Sequence, residues 1–318
     1  MKRTLLMFIA PTALFLLSPL VLNPYWVDVL NNVGLYAILG LSLNLIVGHA
    51  GLFNLGHAAF YAVGAYTAAI LNTRFHIPVL WLLPLCALAS GLFAAVIARP
   101  IIHLRGDYLC IVTIGVGEIV RIALLNNVFG VTGGVNGIVG IDRPSIFGIA
   151  IRHPHEFFYL IWGFAAITVF LFHRLENSRF GRALNYLRED EVAAEGSGIN
   201  VAHYKLACFI LGAAWAGMAG DIFAAKMTII SPESFSFWES VLMFTLVILG
   251  GSGSIPGVIL GAFLIIGLPE VFREFANARL LVFGAAMVAM MIFRNEGILP
   301  PRPRTYPDID TAAGEGRP

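Results

Sequence analysis

Glu118 and Arg121 stand three residues apart inside an apolar run, 108–125, that is long enough to cross a bilayer. A charge at mid-bilayer costs ~2.5–3.5 kcal/mol or more, so such groups face protein or water and pair with one another. Three apart, the two share a helical face, and Gly115 on the same stripe permits close approach of another helix. Two kinds of chemistry fit: an ion pair that locks helices together, or charged groups that gate a solute path or line it. A second polar cluster, His49, Asn54 and His57 with Gly51 and Gly56 among them, interrupts another apolar stretch. A helix broken at membrane depth exposes backbone groups that can line a cavity. The histidines can equally serve carbonyls of neighbouring helices, and both roles stay open.

The only extended charged stretch between apolar runs is about 174–203. Phe180, Leu184 and Leu187 fall on one face at helical spacing, with Arg182, Asn185 and Glu189 on the other. Arg188, Glu189, Asp190 and Glu191 then lead into Ala193, Ala194 and Gly198. A small-residue helix closed by a glycine turn suits a stub inserted into a groove of another protein. An amphipathic helix resting on lipid headgroups fits the same pattern.

Gly250, Gly251, Ser252 and Gly253 match the GxSG pattern of rhomboid-type intramembrane proteases, whose serine is activated by a downstream membrane histidine. No histidine follows His203, so the catalytic order fails and no catalytic residue is assigned. GxxxxGK[ST] is absent as well, so any ATP hydrolysis belongs to another chain. Cys86, Cys110 and Cys208 lie far apart in apolar segments, which argues against a disulfide framework and against a zinc site.

The elements that must position these groups are membrane helices. Of 318 residues, 58% are hydrophobic and 12% charged, about half the charge a soluble domain carries. The net charge of +1 gives no sign of a nucleic-acid partner. A span needs ~20 mostly apolar residues. Ten segments qualify, with approximate limits 4–22, 29–47, 51–71, 79–98, 108–125, 157–173, 204–225, 238–250, 255–269 and 280–293. The eighth and ninth are short and flank the run Gly250–Pro256, so they read as two tilted spans or as a broken, partly re-entrant pair. Lys2 and Arg3 precede the first run, no small-x-small cleavage site follows it, and Pro19, Asn23 and Pro24 mark its end, so it reads as a retained span. With ten crossings, thirteen basic residues fall in inner loops and six in outer ones, which puts both termini in the cytoplasm. The turn-rich outer loop, about 126–156, suits a lid or docking surface. Residues 1–300 form the expected membrane domain, and 301–318, rich in Pro, Gly and charge, an expected disordered tail.

The run from Gly181 to Gly220, GRALNYLREDEVAAEGSGINVAHYKLACFILGAAWAGMAG, resembles the coupling-loop region of ABC-importer permeases. GHAGLFNLGHAAFYAVGAYTAAIL from Gly48, GDYLCIVTIGVGEIVRIALLNN from Gly106, TGGVNGI from Thr132 and GGSGSIPGVILGA from Gly250 narrow the resemblance to the M-type permeases of branched-chain amino-acid transporters, over roughly 25–300. The resemblance implies an all-α polytopic fold in the bacterial inner membrane, without enzymatic activity or cofactor of its own. It implies a second, related permease subunit, two cytoplasmic ATPase subunits that bind ATP and Mg, and a periplasmic solute-binding protein. The coupling helix maps onto Gly181–Gly198, with Arg182, Arg188, Glu189, Asp190, Glu191, Ala193, Ala194 and Gly198 as coupling residues. Asn54, His57, Glu118 and Arg121 are the candidates for the pathway or its gate. Asp221 departs from the family pattern, standing where a small or apolar residue is expected. The alternative reading is an ion-coupled secondary transporter, in which Glu118 would be an ion-binding carboxylate.

Overall fold

A computed structural model describes residues 18–19, 21–104, 106–146, 149–271 and 297–300, with Gly284 and Val288 as isolated positions. The expected first and tenth spans lie almost wholly outside the described residues, and the tail 301–318 lies entirely outside them.

Within the described chain, six helices are long and apolar enough to cross a membrane: Pro24–His49, Val79–Ile101, Asp107–Leu125, Pro154–Glu176, Val201–Met227 and Pro232–Gly250. The chain is therefore an all-α, multi-pass membrane protein. In order, the helices are α1 (Pro24–Asn44, continued by a π-turn Leu45–His49), α2 (His57–Phe75), α3 (Val79–Ile101), α4 (Asp107–Leu125) and α5 (Pro154–Glu176). They continue with α6 (Arg179–Glu189), α7 (Glu191–Gly196), α8 (Val201–Met227), α9 (Phe237–Gly250), α10 (Ile255–Ala262, extended by a π-turn) and α11 (Leu268–Val271). Starts are marked by proline and by polar caps. Pro24 and Pro154 open α1 and α5, Asn200 Oδ1 accepts from His203 N at 3.1 Å, and Ser254 Oγ accepts from Gly257 N at 3.3 Å.

The bundle is centred on α1, α2 and α8. Small residues let their backbones touch, as lipid-embedded packing requires. A Cβ on Gly64 of α2 would collide with Gly217 of α8, and one on Gly217 would meet the Cys86 carbonyl and Ser90 Cβ of α3, both at 2.6 Å. Ser90 Oγ also donates to the Phe60 carbonyl at 2.9 Å, tying α3 to α2. Across the apolar window of Pro24–His49, 78% of residues are buried, against 11% for Asp107–Leu125, so among the described residues α1 is central and α4 peripheral.

One boundary differs from the sequence expectation. The third span, expected from Gly51, is helical only from His57; residues 51–56 are irregular and Gly51 has φ +68°. The eighth segment is as short as expected, a 14-residue helix, and a 3-10 turn, Pro232–Phe235, precedes it. At 1.5 Å per residue α9 alone spans about 21 Å, and only with the 3-10 turn before it does the 19-residue stretch Pro232–Gly250 approach the ~30 Å hydrocarbon core. It turns back at Gly251–Ser254 onto α10, where Gly250 and Gly257 lie backbone to backbone.

Outside the membrane helices, Ile138–Val139 pairs antiparallel with Ile229–Ile230, joining the 126–156 loop to the chain after α8. Asp142 N donates to Asn72 Oδ1 at 2.7 Å and Asn72 Nδ2 to Asp142 Oδ2 at 3.2 Å, holding the same loop on the end of α2.

Candidate functional site

Non-helical backbone between α1 and α2 has amides with no helical partner, and side chains from distant helices satisfy them. Leu55 N donates to Thr113 Oγ1 of α4 at 3.1 Å, and Ala58 N to Ser240 Oγ of α9 at 3.0 Å. Asn54 Oδ1 takes Gly56 N at 3.0 Å. Ser42 Oγ donates to the Leu39 carbonyl and lies 2.8 Å from His57 Nε2, so that ring nitrogen is the donor; Nδ1 then faces Asn54 Nδ2 at 3.4 Å. Asn54 and His57 are both fully buried, engaged with helix and backbone, and His49 is buried beside them. Phe53, exposed like Gly51, packs on Phe244 of α9.

On α4, Arg121 donates from Nε and Nη2 to Glu118 Oε2 at 3.0 and 2.9 Å, and its Nη1 lies 3.7 Å from Glu233 Oε1 in the turn before α9. The pair sits beside an outward stripe of Tyr108, Ile111, Gly115, Ile119 and Ile122. A Cβ on Gly115 would meet nothing within 4 Å. Sequence reasoning missed Glu233 and Glu239. The second is hydrogen-bonded by the Tyr36 hydroxyl of α1, and both lie over a hundred residues from their partners. Asp221, the departure from the family pattern, is fully buried on α8 near Cys86 of α3. Neither of its carboxylate oxygens has a hydrogen-bond partner among the described residues.

The stretch 174–203 holds two short helices, α6 and α7, both capped and charged. Ser178 Oγ caps α6 through Gly181 N, and Asp190 Oδ1 caps α7 through Val192 N and Ala193 N at 2.9 and 3.0 Å. Leu184 and Leu187 are buried, while Arg182, Glu189, Ala193 and Gly198 are exposed. Ala194 is buried in the chain's own packing, and Glu191 pairs with Lys205 of α8 at 2.8 Å. Arg188 Nη1 donates to the Gly48 carbonyl at the end of α1. A cavity of about 490 Å³ opens beside α7, lined by Ile102, His103, Glu191, Glu195, Gly198 and Lys205 among others. At the opposite end a cavity of about 590 Å³ is lined by His76, Pro78, Asp142, Arg143, Ser145 and Arg152.

Residues 25–293 match the family described as branched-chain amino acid transport system / permease component. The chain is 40% identical over 335 residues to the high-affinity branched-chain amino acid transport system permease protein LivM of Salmonella typhimurium, covering 96% of this chain and 78% of that protein. It is 40% identical to the LivM of Escherichia coli over 95% of this chain and 78% of that one. To the LivH permease of Salmonella typhimurium it is 26% identical over 75% of this chain and 82% of the relative. No solved structure matches it. A family match that runs from the first turn of α1 past the end of α11, on a bundle of apolar helices, places the chain in the branched-chain amino acid transport system permease family.

Proposed function

We propose that the chain forms one half of the membrane pathway of an ATP-driven importer, moving small zwitterionic solutes, branched-chain amino acids foremost, by alternating access. The observation that carries the half-pathway reading is α4, a span with few neighbours among the described residues that holds the Glu118–Arg121 pair. An ion pair facing lipid is costly, so this flank meets protein or water in the working assembly. A second, related permease covers it, and similarity to both LivM and LivH relatives supports such a pairing.

Two cytoplasmic ATPase subunits supply ATP and Mg and dock on the α6–α7 pair as a coupling helix. A periplasmic binding protein delivers solute to the 126–156 loop, where His76, Arg143 and Arg152 gather basic groups. Ten segments in the bacterial inner membrane, with both termini cytoplasmic and residues 1–300 as the permease domain, complete the arrangement.

Proteoliposomes holding this chain, a LivH-type partner, both ATPases and the binding protein test the reading. Leucine uptake should require ATP on the cytoplasmic face. Uptake by the chain alone, driven by a proton or sodium gradient, would overturn it in favour of secondary transport.

A further inference from the structure

The coupling reading leaves open how movement of α6 and α7 reaches the membrane helices. Buried contacts of α6 account for its attachment, but Arg188 does something more specific. It sits in the last turn of α6, and its Nη1 donates to the carbonyl of Gly48, 140 residues away in the chain. Gly48 lies in the π-turn that ends α1, where the helix stops and its last carbonyls lack intrahelical partners. A cation there also meets the negative end of the α1 dipole.

Further contacts make this junction a knot. The stem of Arg188 lies over Gly51, so close that a Cβ at residue 51 would stand 3.1 Å from Arg188 Cγ; φ +68° at Gly51 independently favours glycine there. Gly48 itself is wedged between Asn44 Oδ1 and Gly253 N, which are hydrogen-bonded to each other at 2.8 Å. Beyond Gly51 the irregular segment is pinned to α4 through Leu55 and Thr113, and its first helical turn to α9 through Ala58 and Ser240. Gly56 lies directly on the Thr113 carbonyl, with no room for a side chain.

We propose that Arg188 is the positioning residue that ties the cytoplasmic helix pair to the break between α1 and α2. Displacement of α6 then reaches residues 48–56, and through them α4 with its Glu118–Arg121 pair and the turn at Gly253. The break suits this role because its Leu55 amide, and that of Ala58 in the helical turn after it, are held by side chains of α4 and α9. Close packing around the glycines means a shift at Gly48 cannot be absorbed locally. This rests on the coupling reading and specifies how it operates.

The test uses the assembled transporter in nanodiscs, with Cys86, Cys110 and Cys208 replaced by alanine. Nitroxide labels go singly on Val192→Cys, exposed on α7, and on Phe53→Cys, exposed in the break. In the parent, trapping with ATP and vanadate should change the spectra of both. With Arg188→Met, the Val192 label should still respond and the Phe53 label should not, and solute moved per ATP hydrolysed should fall about tenfold, within the range of known site-to-site couplings. Arg188→Lys, which keeps a charged donor, should restore most of both readouts. An unchanged Phe53 response in Arg188→Met would overturn the relay and leave the docking reading standing; loss of the ATPases from that complex would overturn it too, by placing Arg188 in the docking contact itself. Silence of the Val192 label in the parent would instead sink the docking reading, and the relay with it.

Discussion

The ammonium of Lys205 lies 2.8 Å from Glu191 Oε1, with the lysine side chain only 4% exposed and the glutamate 26%. The first turn of α8 is thereby bolted to the first turn of α7. Removing one partner leaves the other charge poorly solvated, and charged hydrogen bonds of this kind are worth about 1.5–3 kcal/mol. Lys205→Met or Glu191→Gln should each lower the thermal midpoint of the purified permease. The double variant should cost less than the sum, and additive losses would mean that the pair contributes nothing as a pair.

Glu118 and Arg121 make the corresponding case in the membrane. Glu118→Ala or Arg121→Ala alone should reduce assembly or transport, because each leaves an unpaired charge. Replacing both with apolar residues should cost less than the two singles together. Glu233→Ala should matter less, under about 1 kcal/mol, since that carboxylate is 3.7 Å from the guanidinium and 70% exposed. Uptake assays on the four variants, beside their yields in the membrane, separate these outcomes.

How much of this was legible in sequence follows from the range of each interaction. Glu118 and Arg121 are readable as a pair because three residues of helix bring them together whatever the rest of the fold does. Leu184 and Leu187 are buried where the 3.6-residue period puts them, with Arg182 and Glu189 opposite. The glycines and polar residues of 49–57 make a broken helix legible there, but not its extent, because apolar residues run on into α2 and the amides of Leu55 and Ala58 are held by Thr113 and Ser240, 58 and 182 residues away. Ala193 and Ala194 look equivalent in sequence, yet one is exposed and the other buried, a difference set by how α7 lies on the bundle. Asp221 is legible only as an oddity, since its burial depends on α8 meeting α2 and α3 at glycines.

Sidedness can be measured directly. In the cysteine-free background, Ser145→Cys, exposed at the outer cavity, should react with an impermeant maleimide in intact cells. Ser178 is a poor inner probe because its hydroxyl caps α6. Ser197→Cys, exposed at the end of α7, should react only after the membrane is opened. Labelling of both in intact cells would refute the inward placement of α6 and α7.

The docking of an ATPase on α7 makes the last prediction, and Gly198 is an exposed point of attack. The residue is open to solvent, and a Cβ there would touch nothing within 4 Å, so this chain itself does not forbid a side chain. Its φ of +83° does penalise one, and that strain would confuse a single substitution. Gly198→Ala isolates the strain, at about 1 kcal/mol. It should leave stimulation of ATP hydrolysis by loaded binding protein nearly intact. Gly198→Trp adds bulk at the same backbone cost and should abolish that stimulation or release the ATPase. Ala193→Trp repeats the test on a helical, exposed position free of backbone strain. A helix that merely rests on headgroups predicts the opposite for both tryptophans, because that ring is favoured at the membrane boundary. Two bulky variants that keep full coupling would remove α7 from the ATPase contact, whereas loss in both with retention in Gly198→Ala leaves steric exclusion from a groove as the cause.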